Sequence, residues 1–453
     1  MPGQRLENVT LCSPRPSAFE SSANETPTSP CLVTTTINST ILSSNHILIH
    51  IDYFGFSANN VTYQALGEHP HFRYFEFHPA PESVQDSVSP RTHGLIPVWG
   101  FGTIQASTHP KLSVGERVYG YFAPTRYLVL PISPKDVNKF AAYVPRPHLP
   151  ADRRPYNQIL RCGTDPQYNE AYEGLTMLYR PLFWTSFWFE DYLFTTLPGY
   201  ATSRIPATTS QSQAEHINFL ISSASSKTAF CLAYLIQTRI SLGQANKRSH
   251  VVGLTSMKNV EFTKELGLYT GVEPYTADFA LTLGRGGRNW IYVDVAGNDS
   301  LNAQLATLFT GGSVGPRLVK AVSLGLTNLS PASSKETTKE RNVNTFTSSS
   351  SASLPAYSAS LASCGIEFEQ FFMPEWLSQR QRQIPVQEIF ARQKKAWDAL
   401  MHDCKPWLSL ERVRGPRNVE KAYGEVVKGG VGPERGMIWS MWDEEAEKIE
   451  AKL

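Results

Sequence analysis

Three stretches of this chain carry residue types suited to holding an anion-bearing cofactor. The first, SSASSKTA (Ser222 to Ala229), ends an apolar run and leads into a helical pattern. A cofactor pyrophosphate needs small residues at such a junction, because the backbone must approach it closely. It also needs free amides at a helix start, where the dipole favours an anion. Ser223, Ala224, Ser225 and Ser226 meet the size demand and their hydroxyls can add hydrogen bonds, while Lys227, followed by Thr228, can set a positive charge beside phosphates. The stretch lacks G-x-G-x-x-G and equally suits a plain strand-to-helix turn capped by serines. A nucleoside-triphosphate loop is disfavoured, since both glycines of G-x-x-x-x-G-K-[ST] are missing.

The second stretch, GLTSMKN, closes the next apolar run with Thr255, Ser256, Lys258 and Asn259. A free ribose 2′-hydroxyl is usually read at this place by an acidic residue, and none occurs before Glu261. Hydroxyls with Lys258 suit a 2′-phosphate instead, which favours NADP over NAD; the other reading is a polar turn with a solvated lysine. In the third stretch, VDVAGN, Gly297 and Asn298 end a strand on the edge where such sheets bind ligands. Asp294 within it suits a buried group tied to backbone, or one that shapes the cleft.

These stretches need a frame, and the apolar periodicity supplies one. HINFLISSAS, HVVGLTS, WIYVDVAGN and RLVKAVSLG read as strands. KTAFCLAYLIQTRI, VEFTKELGL and SLNAQLATLF read as the helices between them. Alternating strand and helix predicts a doubly wound parallel sheet with right-handed crossovers. Upstream, HILIHIDYFGF, IPVWGFGTI, VGERVYGYF and RYLVLPI predict short antiparallel strands closing a small barrel. Residues 1–45, rich in Ser, Thr, Pro and Asn, read as a loose leader, and 46–165 as the barrel domain. Residues 166–340 read as a linking helix with the nucleotide-binding sheet. Thr345 to Ser360 reads as a Ser-rich surface loop within a C-terminal segment, 341–453, which includes an amphipathic helix at Val386 to Met401.

A net charge of +2 with no Lys/Arg tract argues against a nucleic-acid partner. Arg180 to Leu197 is the most apolar segment, but Glu190 and Asp191 interrupt it; it predicts a buried helix between domains rather than a membrane span. Six scattered cysteines without a CxxC pair predict free thiols and a cytoplasmic setting. A metal is not expected. Catalytic zinc needs three ligands and an open position, whereas His69, His71 and His78 sit in a Pro- and aromatic-rich stretch that suits surface placement.

Taken in order, the barrel strands, VGERVYGYF, the linking helix, SSASSKTA, VVGLTS and VDVAGN resemble a medium-chain dehydrogenase/reductase. More narrowly, NNVTYQALG, FRYFEFHPAP, IPVWGFGTI, GERVYGYF, RPLFWTSFWFEDYL and SSASSKTA resemble a bacterial and fungal family catalogued as a domain of unknown function. The resemblance implies a chaperonin-10-like (GroES-like) barrel, a Rossmann domain and a C-terminal segment returning to the barrel. It implies NADP and a small-molecule carbonyl or enone substrate, and, by analogy of fold, a homodimer. The four clustered cysteines of the superfamily's structural zinc are absent: Cys162 has no cysteine near it. In the zinc-free branch, hydride moves directly from nicotinamide and the protein adds positioning and a proton donor. Tyr63 is the candidate donor, with Asn59 and Asn60 orienting substrate or nicotinamide; the same NNVTY stretch also suits a turn with Tyr63 in the core. A rival reading keeps the fold and the nucleotide but gives a binding or sensing protein without hydride transfer.

Overall fold

β-Branched and aromatic residues dominate the strands of the first part of the chain. The computed structural model describes residues 5–19, 29–70, 72–197, 216–285, 287–295, 297–310, 315–324 and 366–443. Strands β1 (Arg5–Pro14) and β2 (Cys31–Asn38) pair antiparallel, from Arg5 opposite Asn38 to Cys12 opposite Cys31. The loose leader expected here is therefore sheet over those spans. The physical reason lies in β1: Val9 and Leu11 enter the barrel core, and the Asn8 side-chain oxygen accepts from the Thr125 hydroxyl and the Tyr127 N–H, each at 2.8 Å. A strand whose polar atoms are hydrogen-bonded internally hides its identity in composition.

Next come β3 (His46–Phe56), helix α1 (Ala58–Ala65), β4 (His93–Gly94), β5 (Val98–Ser107) and β6 (Arg117–Phe122). They are followed by β7 (Tyr127–Pro131), β8 (Ala141–Tyr143) and β9 (Gln158–Arg161). β4 extends the β1–β2 pair, and β3, β5, β6, β9 and β8 form a continuous sheet with β7 paired to β3. The linking helix expected within 166–340 is α2, Glu173–Thr196, which follows β9 after a short connection. α2 is the buried helix expected between the domains. Its two acids are neutralised there: Glu190 pairs with Arg239, and Asp191 accepts from Trp376 Nε1 at 2.9 Å and Arg380 at 3.2 Å. Among the described residues no helix is long and apolar enough to cross a membrane.

The second sheet is built from β10 (Ile217–Ile221), α3 (Lys227–Ser241), β11 (Val251–Thr255), α4 (Val260–Glu265) and β12 (Gly271–Pro274). It continues through α5 (Phe279–Arg285), β13 (Asn289–Asp294), α6 (Asp299–Thr310), β14 (Arg317–Ser323) and β15 (Phe368–Gln370). Its order is β12-β11-β10-β13-β14-β15, and every pairing is parallel. Successive side chains serve opposite faces. Ile217, Phe219 and Ile221 pack toward α2 and α3, while Leu220, Trp290 and Tyr292 pack toward Phe279 and Leu283 of α5 and Leu301 and Leu305 of α6. The sheet is thus doubly wound.

Helices α7 (Met373–Gln383) and α8 (Val386–Asp403) follow, then β16 (Ser409–Arg414), α9 (Pro416–Gly429) and β17 (Arg435–Ser440). β17 pairs antiparallel with β3, so the chain's later part completes the barrel sheet. The Ser-rich stretch Thr345 to Ser360 lies outside the described residues.

Candidate functional site

Five residues join β10 to α3. Ser223 turns the chain with φ at 51°, in the left-handed region, where a Cβ costs roughly 1–2 kcal/mol. Its N–H donates to the Tyr275 hydroxyl at 3.2 Å, and its Oγ lies 3.4 Å from the same oxygen. Ala224 donates its N–H to the Leu254 carbonyl at 2.9 Å and accepts from the Tyr269 hydroxyl at 2.8 Å. The loop is therefore pinned to the neighbouring strand. Gly253 on β11 permits this approach: a Cβ there would lie 2.7 Å from the Ala224 Cβ and 2.9 Å from the Tyr269 ring.

Ser226 takes the N-cap of α3, its Oγ accepting from the Ala229 N–H at 3.4 Å. Among the described residues, the N–H groups of Ser225, Lys227 and Thr228 have no acceptor. Three open amides at the start of a 15-residue helix are the kind of arrangement that suits an anion. Half-buried beside them, Lys227 makes no ion pair among the described residues, and burial lowers its pKa to about 8 against the opposing pull of Glu434. The Thr228 carbonyl accepts from Ser186 of α2 at 2.8 Å, which fixes the site to the interdomain helix.

At the end of β11, the Thr255 hydroxyl and the Asn259 amide both donate to Ser225 Oγ, at 3.1 and 3.0 Å. Those two residues brace the loop. Ser256 Oγ is buried with no partner among the described residues, and Lys258 is exposed. Gly297 follows β13 and donates its N–H to Asp294 Oδ1 at 3.0 Å. Asp294 is wholly buried, accepting also from Ser222 Oγ at 3.0 Å and Asn302 at 2.7 Å. It anchors the strand end that borders the loop.

A narrow cleft opens between α1 and α2, lined by Asn59, Tyr63, Trp99, Met177, Pro181 and Leu182 among others. Gly55 brings β3 against α2: a Cβ there would meet Met177 Cβ at 3.0 Å. Pro181 has no N–H to offer the Met177 carbonyl, so the cleft wall includes a carbonyl short of its helical donor. One helical turn beyond Leu182, Ser186 reaches Thr228, so cleft and anion site share α2 as a common wall.

The NNVTY stretch is a helix, not a turn, and its residues divide. Asn59 is half-buried at the cleft, with its side-chain amide unengaged among the described residues. Tyr63 lies beside it, its ring 4.3 Å from Tyr74 and 6.2 Å from Tyr121. Burial, then the neighbouring Tyr156, pushes the Tyr63 phenol well above its usual pKa, so it stays protonated. Asn60 departs from the expected orienting role. Its Oδ1 accepts from the Ser57 N–H at 2.9 Å as a helix cap, and its Nδ2 donates to the Pro97 carbonyl at 3.1 Å. Trp99 of β5 also lines the cleft.

Tyr269 and Tyr275 were not legible as site residues. They reach the loop from 45 and 52 positions downstream, and no local pattern marks them. His78, from the expected histidine cluster, is buried with Nε2 against the Tyr121 carbonyl at 2.9 Å; His71 lies outside the described residues. No group of three potential ligands comes together among the described residues.

A GroES-like barrel is joined by the buried helix α2 to a doubly wound, Rossmann-type sheet. Residues 54–432 match the model of a family described as a protein of unknown function (DUF2855), and the chain belongs to that family. The fold is similar to the crystal structure of CurA from Vibrio vulnificus in complex with NADPH. That protein is 14% identical, with a TM-score of 0.53 over 97% of this chain and 100% of the other. A second CurA structure from the same organism gives 13% identity and 0.52, over 96% and 99%. No curated protein matches the sequence.

Proposed function

We propose that the chain is an NADPH-dependent oxidoreductase that reduces a small or medium-sized carbonyl or enone compound without a zinc ion. The observation that carries this reading is the set of open amides at Ser225, Lys227 and Thr228, beside the Lys227 side chain, which makes no ion pair among the described residues. The fold likeness to a protein crystallised with NADPH supports it. The residues fit the group. The open amides and Lys227 would hold the pyrophosphate, and Ser256 and Lys258 the 2′-phosphate, with no acidic side chain between Thr255 and Asn259 to repel it.

Bound nicotinamide would supply the hydride. Asn59 would orient the substrate carbonyl. Tyr63 would donate a hydrogen bond to its oxygen, and the high phenol pKa keeps that proton in place until charge develops. The apolar wall of Leu178, Pro181 and Leu182 would exclude water. The same reading carries a cytoplasmic location and a homodimer.

Titration with NADPH and NADH, followed by nicotinamide fluorescence, tests the reading, with Lys258→Glu alongside. NADPH binding that the substitution weakens supports the site, and turnover on a panel of aldehydes, ketones and enones supports the reaction. Binding without turnover would leave a nucleotide-sensing protein. Absence of binding at millimolar nucleotide would overturn the cofactor assignment.

A further inference from the structure

The β1–β2 ladder ends on a pair of cysteines. Cys12 and Cys31 are directly opposed across the antiparallel pairing, so both side chains leave the same face. Opposed Cβ atoms in such ladders stand about 4.5–5.5 Å apart, and a disulfide needs about 3.5–4.5 Å, a closure of roughly 1 Å or less. The pair sits where β2 begins, at the last rung of the ladder, where the backbone can give by that amount. Cys12 is fully buried against Val33, Ala80, Val88, Leu95 and Ala123, whereas Cys31 is half-buried and open to a reagent. One thiol can thus be attacked from solvent while the other waits beneath it. The remaining described cysteines, Cys162, Cys231 and Cys404, are all buried.

We propose that Cys12 and Cys31 form an oxidisable dithiol that closes to a cross-strand disulfide by exchange with a small-molecule disulfide such as oxidised glutathione. The Cys31 thiolate attacks one glutathione sulfur, which releases a glutathione thiolate and leaves a mixed disulfide on Cys31. Cys12 Sγ then attacks Cys31 Sγ and expels the second glutathione thiolate. Two cysteine thiols are oxidised, one glutathione disulfide is reduced to two glutathione thiols, and the two protons released by the cysteines go to those leaving groups. The bond would tie β2 to β1, and through β4 to the segment that carries Phe75 and Phe77 beside the cleft aromatics. Burial and the nearby Asp86 carboxylate raise both thiol pKa values, so the exchange is slow at neutral pH.

The folded full-length protein incubated with oxidised glutathione, then denatured, alkylated and digested, reads this out by mass spectrometry. The expected product is a single linked peptide pair holding Cys12 and Cys31, lighter by two hydrogens, with Cys162, Cys231 and Cys404 alkylated. In Cys12→Ser the intermediate has no second thiol, so a stable glutathionyl adduct should build up on Cys31. The oxidised wild type should also melt several degrees higher than its reduced form, and Cys31→Ser should show no such rise. Failure to link the pair under conditions that oxidise the unfolded chain, or linkage of a different pair, would overturn the proposal. None of these readouts depends on nucleotide binding.

Discussion

Arg117 on β6 and Glu173 at the first turn of α2 meet in a bidentate pair, Nε to Oε1 at 2.9 Å and Nη2 to Oε2 at 2.6 Å. The same carboxylate accepts from the Tyr53 and Tyr168 hydroxyls, and the guanidinium also reaches Asp52. Four residues later in α2 the cleft wall begins with Met177. The pair therefore ties the first turn of α2 to β6 of the barrel, next to the residues that begin the cleft wall.

Glu173→Gln should destabilise the protein by about 3 kcal/mol, because it leaves a largely buried guanidinium with less than its full complement of charge. Desolvation raises the Glu173 pKa, but hydrogen bonds from Arg117, Tyr53 and Tyr168 outweigh it, and the net shift is downward from 4.5. A depressed folded-state pKa means a contribution that is present above 4.5 and is lost as pH falls through the lower folded value. Urea melts between pH 6 and 3 should show wild-type stability falling below about 4.5. A variant whose acid limb has the same slope would show that Glu173 is not the titrating group.

Lys227 ties affinity to pH. Its pKa near 8 in the free protein must rise once phosphates neutralise it, so binding takes up a proton above about pH 8. NADPH affinity should be flat below pH 7 and fall by up to tenfold per pH unit above 8. Lys227→Met should bind weakly at all pH values and lose that slope. Lys258→Glu, at an exposed position, should keep the slope while weakening NADPH about tenfold or more and leaving NADH nearly unchanged.

The strand and helix succession between β10 and β14 was readable because each element's period matches its burial, as Leu220 against Phe219 and Ile221 shows. The leader misread has a different origin. Thr10 and Asn8 look like loop residues, yet their polar atoms bond to Thr125 and the pair is buried. The helix at Asn59 to Tyr63 was hidden because its cap pairs Ser57 with Asn60, where the recognisable box has Glu or Gln. Contacts such as Tyr275 to Ser223 belong to the tertiary fold and leave no local trace.

Gly253→Ala tests whether loop position sets affinity. The added methyl would overlap Ala224 Cβ, a backbone-bound atom with little freedom, and the Tyr269 ring. Overpacking of this kind costs about 1–3 kcal/mol. NADPH affinity should drop by more than tenfold while the protein still melts cooperatively. An unchanged dissociation constant would show that the loop lies off the cofactor path.

Tyr63 and Asn60 separate chemistry from architecture within one short helix. Tyr63→Phe removes a hydroxyl and keeps the ring packed against Tyr74, so the melting temperature should move little. If the phenol donates to the developing oxyanion, kcat should fall by about 10²-fold or more with KM nearly unchanged, since the bond strengthens only as charge appears. Asn60→Ala instead removes the cap bond to Ser57 and the tie to Pro97. It should cost about 1–2 kcal/mol of stability, and turnover should be affected only as far as α1 frays. Steady-state kinetics and thermal melts on both variants decide the matter. Equal losses of kcat in the two would mean that Tyr63 acts through the packing of α1 rather than at the substrate.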